Sequence, residues 1–387
     1  MRLALIRQRY TPFGGAERFM DRAIHALGHE AEITVLAREW RGDAAGYRFI
    51  ECNPPARGNV ARDRSFAVAV RSALARETFD LIQSHERIVP EGITAPFLYR
   101  AGDGVHATWL AERARHNGWA GRLRNAVNPY HRYMFAEEAA MFRHPNLTGV
   151  ICNSQMVRDD IAARFGLPAS RLHVIYNGVD LSAYTPATLE QKAKTRSHHG
   201  FLADRAMLLY VGSGFERKGV GNLLRAFARA DAGMQLAIVG GDKHLARYQA
   251  LAARLGVADR VRFTGAVQDV KPWYAAADAF VLPTLYDPMP NAALEALACG
   301  LPLLTTPACG AAELVQDGIN GFVRDAADVD GLAAGMTRLA RQAPSGTQLG
   351  AQSGHMGAAA RASVEHLSLD AMAQRLLTLY RSLLPHG

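Results

Sequence analysis

The stretch Met207-Leu208-Leu209-Tyr210-Val211-Gly212-Ser213-Gly214-Phe215-Glu216-Arg217-Lys218-Gly219 decides the fold class. Five apolar residues in a row suit a strand covered on both faces, the kind found in parallel sheets. Glycines then open a tight turn, and residues 220–230 carry apolar side chains at helical spacing. This is one half of a βαβ unit. Loops that follow strands in open α/β sheets receive ligands, and this loop delivers Arg217 and Lys218 there. A planar guanidinium beside a point charge suits a diphosphate. The alternative is a solvated basic turn.

The same alternation runs outward through the chain. Strands are predicted at 3–6, 33–37, 81–85, 97–100, 150–153 and 173–176 in the first half, and at 207–211, 236–240, 261–264, 280–283 and 303–306 in the second. Helices are predicted at 15–27, 156–165, 220–230, 245–255 and 291–299. The reading is α/β, with two doubly wound, Rossmann-like domains facing a cleft at the carboxyl ends of their strands. Residues 1–182 form the first domain and 205–366 the second. The polar segment 183–204 reads as a linker, and 341–355, rich in Gly, Ser and Gln, as a loose loop. Residues 367–387 hold a terminal amphipathic helix, over 370–384, expected to pack back toward the first domain.

A length of 387 residues suits two domains, and 49% apolar with 21% charged residues excludes disorder and a coiled coil. The net charge of +8 admits nucleic acid, an anionic membrane or a phosphorylated substrate. Residues 1–182 hold 24 Arg, no Lys and 19 acidic residues, a balance of +5. No signal peptide is expected from the short apolar run at 3–6, and no stretch reaches 18 consecutive apolar residues. Cys52, Cys152, Cys299 and Cys309 lack zinc or CxxC spacing, so they read as buried thiols of a reducing cytosol.

A second loop follows the strand at 280–283: Thr284-Leu285-Tyr286-Asp287-Pro288-Met289-Pro290-Asn291-Ala292-Ala293-Leu294-Glu295. Asn291 opens an Ala/Leu-rich helix behind Pro290, and the free N–H groups at such an end favour an anion or sugar hydroxyls. Asp287 and Glu295, eight residues apart, can border one ligand. Otherwise they are a cap and a surface charge. In the first half, Gly14 and Gly15 follow the first strand, and Asp103 and His106 follow the strand at 97–100. Each also reads as an ordinary turn residue.

These motifs resemble the retaining glycosyltransferases of family 4, which have the GT-B fold. The Arg217-Lys218 loop, the Asp287 to Glu295 segment, Gly300-Leu301-Pro302 and Asp317-Gly318-Ile319-Asn320-Gly321-Phe322 carry the resemblance. In the first half, Tyr10-Thr11-Pro12-Phe13-Gly14-Gly15-Ala16-Glu17-Arg18 and Gly102-Asp103-Gly104-Val105-His106 are similar to the lipopolysaccharide core α-glucosyltransferase I branch. The resemblance implies that Arg217 and Lys218 hold the donor diphosphate and that Glu295 accepts from the nucleotide ribose. It implies that Asp287 contacts the transferred sugar, where the family's first acid is Glu. Met289, Pro290, Asn291 and Ala292 would line the donor, the backbone N–H groups around Met289–Ala292 meeting the sugar hydroxyls, with Gly212, Gly214, Gly14 and Gly15 also lining it. Asp103 would aid acceptor deprotonation, with His106 beside it.

The implied activity moves glucose from UDP-glucose to a heptose of the lipopolysaccharide inner core, without cofactor or metal. The enzyme would be cytoplasmic and peripheral on the inner face of the inner membrane. The one DxD, Asp328-Val329-Asp330, opens a late helix and reads as a cap rather than a metal site. Arg113, Arg115, Arg122, Arg124 and Arg132, interleaved with Trp109, Trp119 and Tyr130, suit an anionic lipid surface, or else a solvated helix face. No nucleic-acid motif accompanies the charge. The rival readings are a capsule, exopolysaccharide or small-molecule transferase, and a non-catalytic nucleotide-sugar or glycolipid binding module.

Overall fold

The computed structural model of the chain describes residues 1–10, 27, 30–40, 46–342 and 351–384. Gly14, Gly15, most of the helix predicted at 15–27 and most of the Tyr10–Arg18 motif lie outside the described residues. The chain divides into two compact units. Met1–Gly178 with Leu369–Gly387 makes one, and Val179–Ser368 makes the other. The breaks fall a few residues from the 182/183 and 366/367 boundaries expected from the sequence.

The first unit is built on a seven-stranded parallel sheet. In chain order its strands are β1 (Arg2–Ile6), β3 (Glu32–Ala37), β5 (Arg48–Glu51), β6 (Leu81–Ser84), β7 (Phe97–Arg100), β8 (Leu147–Cys152) and β9 (Leu172–Val174), while β2 (Arg9–Tyr10) and β4 (Glu39–Trp40) pair separately. The spatial order is β5-β3-β1-β6-β7-β8-β9. The central strands are almost wholly buried, as in a parallel sheet covered on both faces, and they bury the polar Gln83, Ser84 and Arg100 together with their apolar residues. β5 escaped the sequence reading because its Arg48-Phe49-Ile50-Glu51 is largely exposed on an edge strand, where burial enforces no apolar run. The terminal helix Leu369–Leu383 belongs to this unit. It buries Met372, Leu376 and Tyr380 in a core with Leu3, Leu5, Val35 and Leu81. The Tyr380 hydroxyl donates to Gln83 Oε1 at 2.6 Å. Each such large apolar side chain, fully buried, contributes about 2 kcal/mol.

The second unit carries a six-stranded parallel sheet ordered β12-β11-β10-β13-β14-β15. Its strands are β10 (Ala206–Val211), β11 (Met234–Val239), β12 (Val261–Gly265), β13 (Ala279–Leu282), β14 (Leu303–Thr305) and β15 (Gly321–Val323). β10 buries all but its first residue. The helix Val220–Arg229 that follows buries Val220, Leu223, Leu224 and Phe227, the i, i+3, i+4, i+7 stripe of a sheet-facing helix. β15 was not expected. Its Gly321 lies so close to β14 that a Cβ would stand 2.0 Å from the Leu303 carbonyl oxygen.

Two sequence expectations need correction here. Residues 183–204 are not a plain linker, because Leu189–His198 is a helix capped by a Thr188/Gln191 capping box. Its one buried side chain is Arg196, which with Lys192 grips the buried Asp278. A helix docked through ion pairs shows no apolar stripe, although the Thr-x-x-Gln cap was a readable signal. The loose loop expected at 341–355 is interrupted too: Val329–Arg341 and Ala351–Ala362 are helices, and 343–350 lie outside the described residues. All four cysteines are buried, and burial pushes the Cys52 thiol up to about 11 and the other three to about 12.

Candidate functional site

In the second unit, β10 pairs with β11 on one side and β13 on the other, so the strand order reverses between β10 and β13. Loops leaving the carboxyl ends of two such strands diverge and leave a crevice. The loop after β10 holds Gly212, Gly214, Arg217 and Lys218. It is stitched to the loop after β13, because the Arg217 carbonyl accepts from Leu285 N at 2.8 Å and from Thr284 Oγ1 at 3.0 Å. Gly219 caps the next helix with φ +73°, and a Cβ there would sit 1.9 Å from the Pro283 carbonyl oxygen. Only glycine fits both demands.

This stitching brings Lys218 to Asp287. Lys218 Nζ donates to Asp287 Oδ2 at 2.8 Å, with the two side chains 12% and 7% exposed. The Asp287 backbone is fixed from the loop after β14, donating to Ala308 O at 3.0 Å and accepting from Gly310 N at 2.9 Å. Met289 and Pro290 are buried. Asn291 is the first residue of the helix Asn291–Ala298, as expected, and is itself buried. Ala292 is half-buried. Glu295 is 1% exposed one turn further on, and Tyr274 donates to its Oε2 at 3.0 Å. Arg217 and Lys218 thus stand on one loop, Asp287 on the neighbouring loop and Asn291 and Glu295 on the helix that follows it, all in one unit.

In the first unit, Asp103 is half exposed and stands 3.8 Å from Arg7 Nη1, which also lies 3.5 Å from Glu86 Oε1. Burial raises the Glu86 carboxyl above its ordinary range. His106 begins the helix His106–Val127. Its Nε2 meets His131 Nδ1 at 3.1 Å. Burial, and after it Arg87 and His131, push the His106 imidazole down to about 4, so it is neutral at pH 7.

Several residues of these neighbourhoods were missed by sequence reading. Glu138 is buried in the helix Pro129–Arg143 and accepts from both Arg87 Nε and His106 N at 2.7 Å. Arg87 Nη2 also donates to Gly104 O at 2.8 Å. The available signal was an acid on the apolar stripe of Met134, Met141 and Phe142. Asp242 accepts from Phe215 N at 2.9 Å and steadies the β10 loop. Tyr274, on the short helix Lys271–Ala276, had no signal.

The DxD and the 317–322 stretch are architectural. Asp328 caps the helix Val329–Arg341 through Gly331 N at 2.8 Å, and Asp330 pairs with Arg229. In the 317–322 stretch, Asn320 is buried, accepting from Gln316 N and donating to Leu314 O. The Arg324 guanidinium bonded to Asp317 holds that carboxyl below its usual range. Of the Arg/aromatic stretch, Arg113 lies over the Trp109 ring and Arg115 pairs with Glu112. The side chains of 117–127, among them Trp119, Arg122 and Arg124, lie outside the described residues. Among the described residues no helix is long and apolar enough to cross a membrane.

Comparison with known proteins agrees with this layout. Glycosyltransferase Family 4 matches residues 13–183. Glycosyl transferases group 1 matches residues 205–342, so the two together take in most of the chain. The lipopolysaccharide glucosyltransferase WaaG of Escherichia coli K12 is 28% identical over 332 residues, 84% of this chain and 85% of that protein. The GDP-mannose-dependent alpha-(1-6)-phosphatidylinositol monomannoside mannosyltransferase of Mycolicibacterium smegmatis is 27% identical over 347 residues, 82% of this chain and 84% of that one. The crystal structure of WaaG matches over 100% of both chains with a TM-score of 0.80 at 23% identity, a likeness of fold, the two-domain GT-B class. The chain therefore belongs to the family 4 and group 1 glycosyltransferases, and it is a glycosyltransferase.

Proposed function

We propose that this enzyme is a retaining, metal-independent glycosyltransferase that moves glucose from UDP-glucose to a heptose of the lipopolysaccharide inner core. The observation that carries the donor half is the gathering of Arg217, Lys218, Asp287 and the Asn291 helix start at the strand reversal of the second unit. Two cations and a helix N-terminus neutralise the charge that grows on the diphosphate as the glycosyl bond breaks. Glu295 accepts from the ribose hydroxyls. Asp287 serves the transferred sugar, and the N–H groups at the start of the helix Asn291–Ala298 serve its hydroxyls. Attack by the acceptor from the face that the diphosphate leaves preserves the anomeric configuration.

The acceptor half rests on the first unit. Asp103 is exposed enough to take a proton from an acceptor hydroxyl, while the neutral His106 beside it can donate or accept. The glucose donor and the lipopolysaccharide acceptor are those in the name of the Escherichia coli relative. The excess of Arg in the first half suits a phosphorylated glycolipid at the cytoplasmic face of the inner membrane.

A second reading keeps the chemistry and changes both substrates. The Mycolicibacterium relative is nearly as similar and is GDP-mannose-dependent, with a phosphatidylinositol mannoside acceptor. Asp287, one methylene shorter than the family's Glu, stands where the donor sugar is read. A screen of UDP-glucose, UDP-galactose and GDP-mannose for diphosphate release and for protection against melting separates the two. Turnover with deep-core lipopolysaccharide but not with simple sugars supports the first acceptor. Loss of turnover in EDTA contradicts metal independence.

A further inference from the structure

We propose that Tyr274 is the positioning residue through which Glu295 reads the donor ribose, so that preference for a ribonucleotide over its deoxy form depends on the Tyr274 hydroxyl. This rests on the assignment of Glu295 to the ribose.

A carboxylate that is 1% exposed is costly unless donors hold it, and its value in recognition depends on where its oxygens point. The Tyr274 hydroxyl lies 3.0 Å from Glu295 Oε2 and 3.2 Å from Ala292 O. Its single proton is therefore shared between the carboxylate and the first turn of the helix that carries it. Fixing Oε2 fixes the carboxylate plane, and with it the direction in which Oε1 can accept. Hydrogen bonding to a charged acceptor is the strong kind.

Tyr274 is itself held on several sides. It is 1% exposed, edge-on to Tyr184 with ring centroids 5.7 Å apart, and tilted against Phe280 at 6.1 Å. The Tyr184 carbonyl accepts from Arg361 Nη1 at 2.6 Å, and the same nitrogen donates to Ala298 O at 2.6 Å, at the end of the Glu295 helix. Burial, and after it Glu295, keep the phenol protonated, so it is a donor across the working pH range. Replacement by Phe removes one hydroxyl and leaves these ring contacts in place. The deficit should then appear in recognition of the hydroxyl that Glu295 accepts, not in packing.

The experiment is calorimetry on the full chain with UDP, 2′-deoxy-UDP and 3′-deoxy-UDP, and with the guanosine series where GDP binds more tightly. The native protein is expected to prefer the ribonucleotide over one deoxy form by about tenfold or more. Tyr274→Phe should lose about that factor for the ribonucleotide and nothing for the deoxy form, and Glu295→Gln should show the same pattern. Equal losses for both nucleotides in Tyr274→Phe, or none for either, overturn the proposal. If Glu295→Gln erases the preference and Tyr274→Phe retains it, the role of Tyr274 fails and the ribose assignment stands. If Glu295→Gln retains it, or the native protein shows none, the ribose assignment fails and the proposal falls with it.

Discussion

Lys218 and Asp287 form a largely buried ion pair, 2.8 Å from Nζ to Oδ2, that ties the loop after β10 to the loop after β13. Neither residue reaches the other through local sequence. The pair exists because the Arg217 carbonyl holds Leu285 and Thr284. Lys218→Ala should cut transfer by about 10²–10³-fold, the usual cost of losing one preorganised charge-stabilising donor. It should also lower stability by about 3 kcal/mol, because Asp287 stays buried without its cation. Urea unfolding checks the second effect. The Lys218→Ala/Asp287→Ala double variant should regain much of that stability and none of the transfer. Near-normal turnover in Lys218→Ala contradicts the diphosphate assignment.

Asp287→Asn keeps the shape and removes the charge. Its fold should survive, since Asp287 N and O remain tied to Ala308 and Gly310. The expected result is a drop in kcat of about 10²-fold with little change in donor KM, because the lost interaction matters most as charge moves. Steady-state kinetics with the donor found by screening decide it. A rise in KM with kcat unchanged would make Asp287 a contact equally strong in the ground and transition states.

Gly219→Ala should disable the donor loop through the backbone. The φ of +73° is unfavourable for alanine, and the Cβ would fall 1.9 Å from the Pro283 carbonyl. A cost of about 1–3 kcal/mol for the conformation adds to that of moving the β13 loop. Both a lower melting temperature and weaker nucleotide binding are expected. Native-like values for both contradict the close approach.

The pH dependence of stability should reflect the histidines of the first unit. Burial depresses His106 to about 4 and lowers His131, and burial with Arg100 and Arg7 holds His85 well below its ordinary 6.5. Between pH 6.5 and about 4 these histidines therefore bind more protons in the unfolded chain than in the folded one. Their contribution to stability is full above pH 6.5 and falls as the pH drops through that window. Melting curves from pH 7.5 to 4.5 test this, and His106→Gln should flatten the fall. An unchanged slope in that variant contradicts the burial of a neutral His106.

Much of the framework was legible in the sequence because it follows from period and punctuation. Unbroken apolar runs mark strands covered on both faces, so β1, β7, β10 and β13 could be read directly. Glycines and Pro290 mark where those strands give way to helices, which located Arg217, Lys218, Asp287 and Glu295 without any structure. Elements stabilised by something other than an apolar pattern were not legible. The exposed edge strand β5 and the helix Leu189–His198, docked by Arg196 and Lys192 onto Asp278, are the examples. The sequence by itself determined which loops carry the charged residues, since that needs only local order along the chain. Tertiary structure alone decided that Lys218 meets Asp287, that Tyr274 holds Glu295 and that Glu138 and Arg87 hold the loop of His106. Those contacts join residues 17 to 69 positions apart, and only the packing of strands and helices fixes their distances.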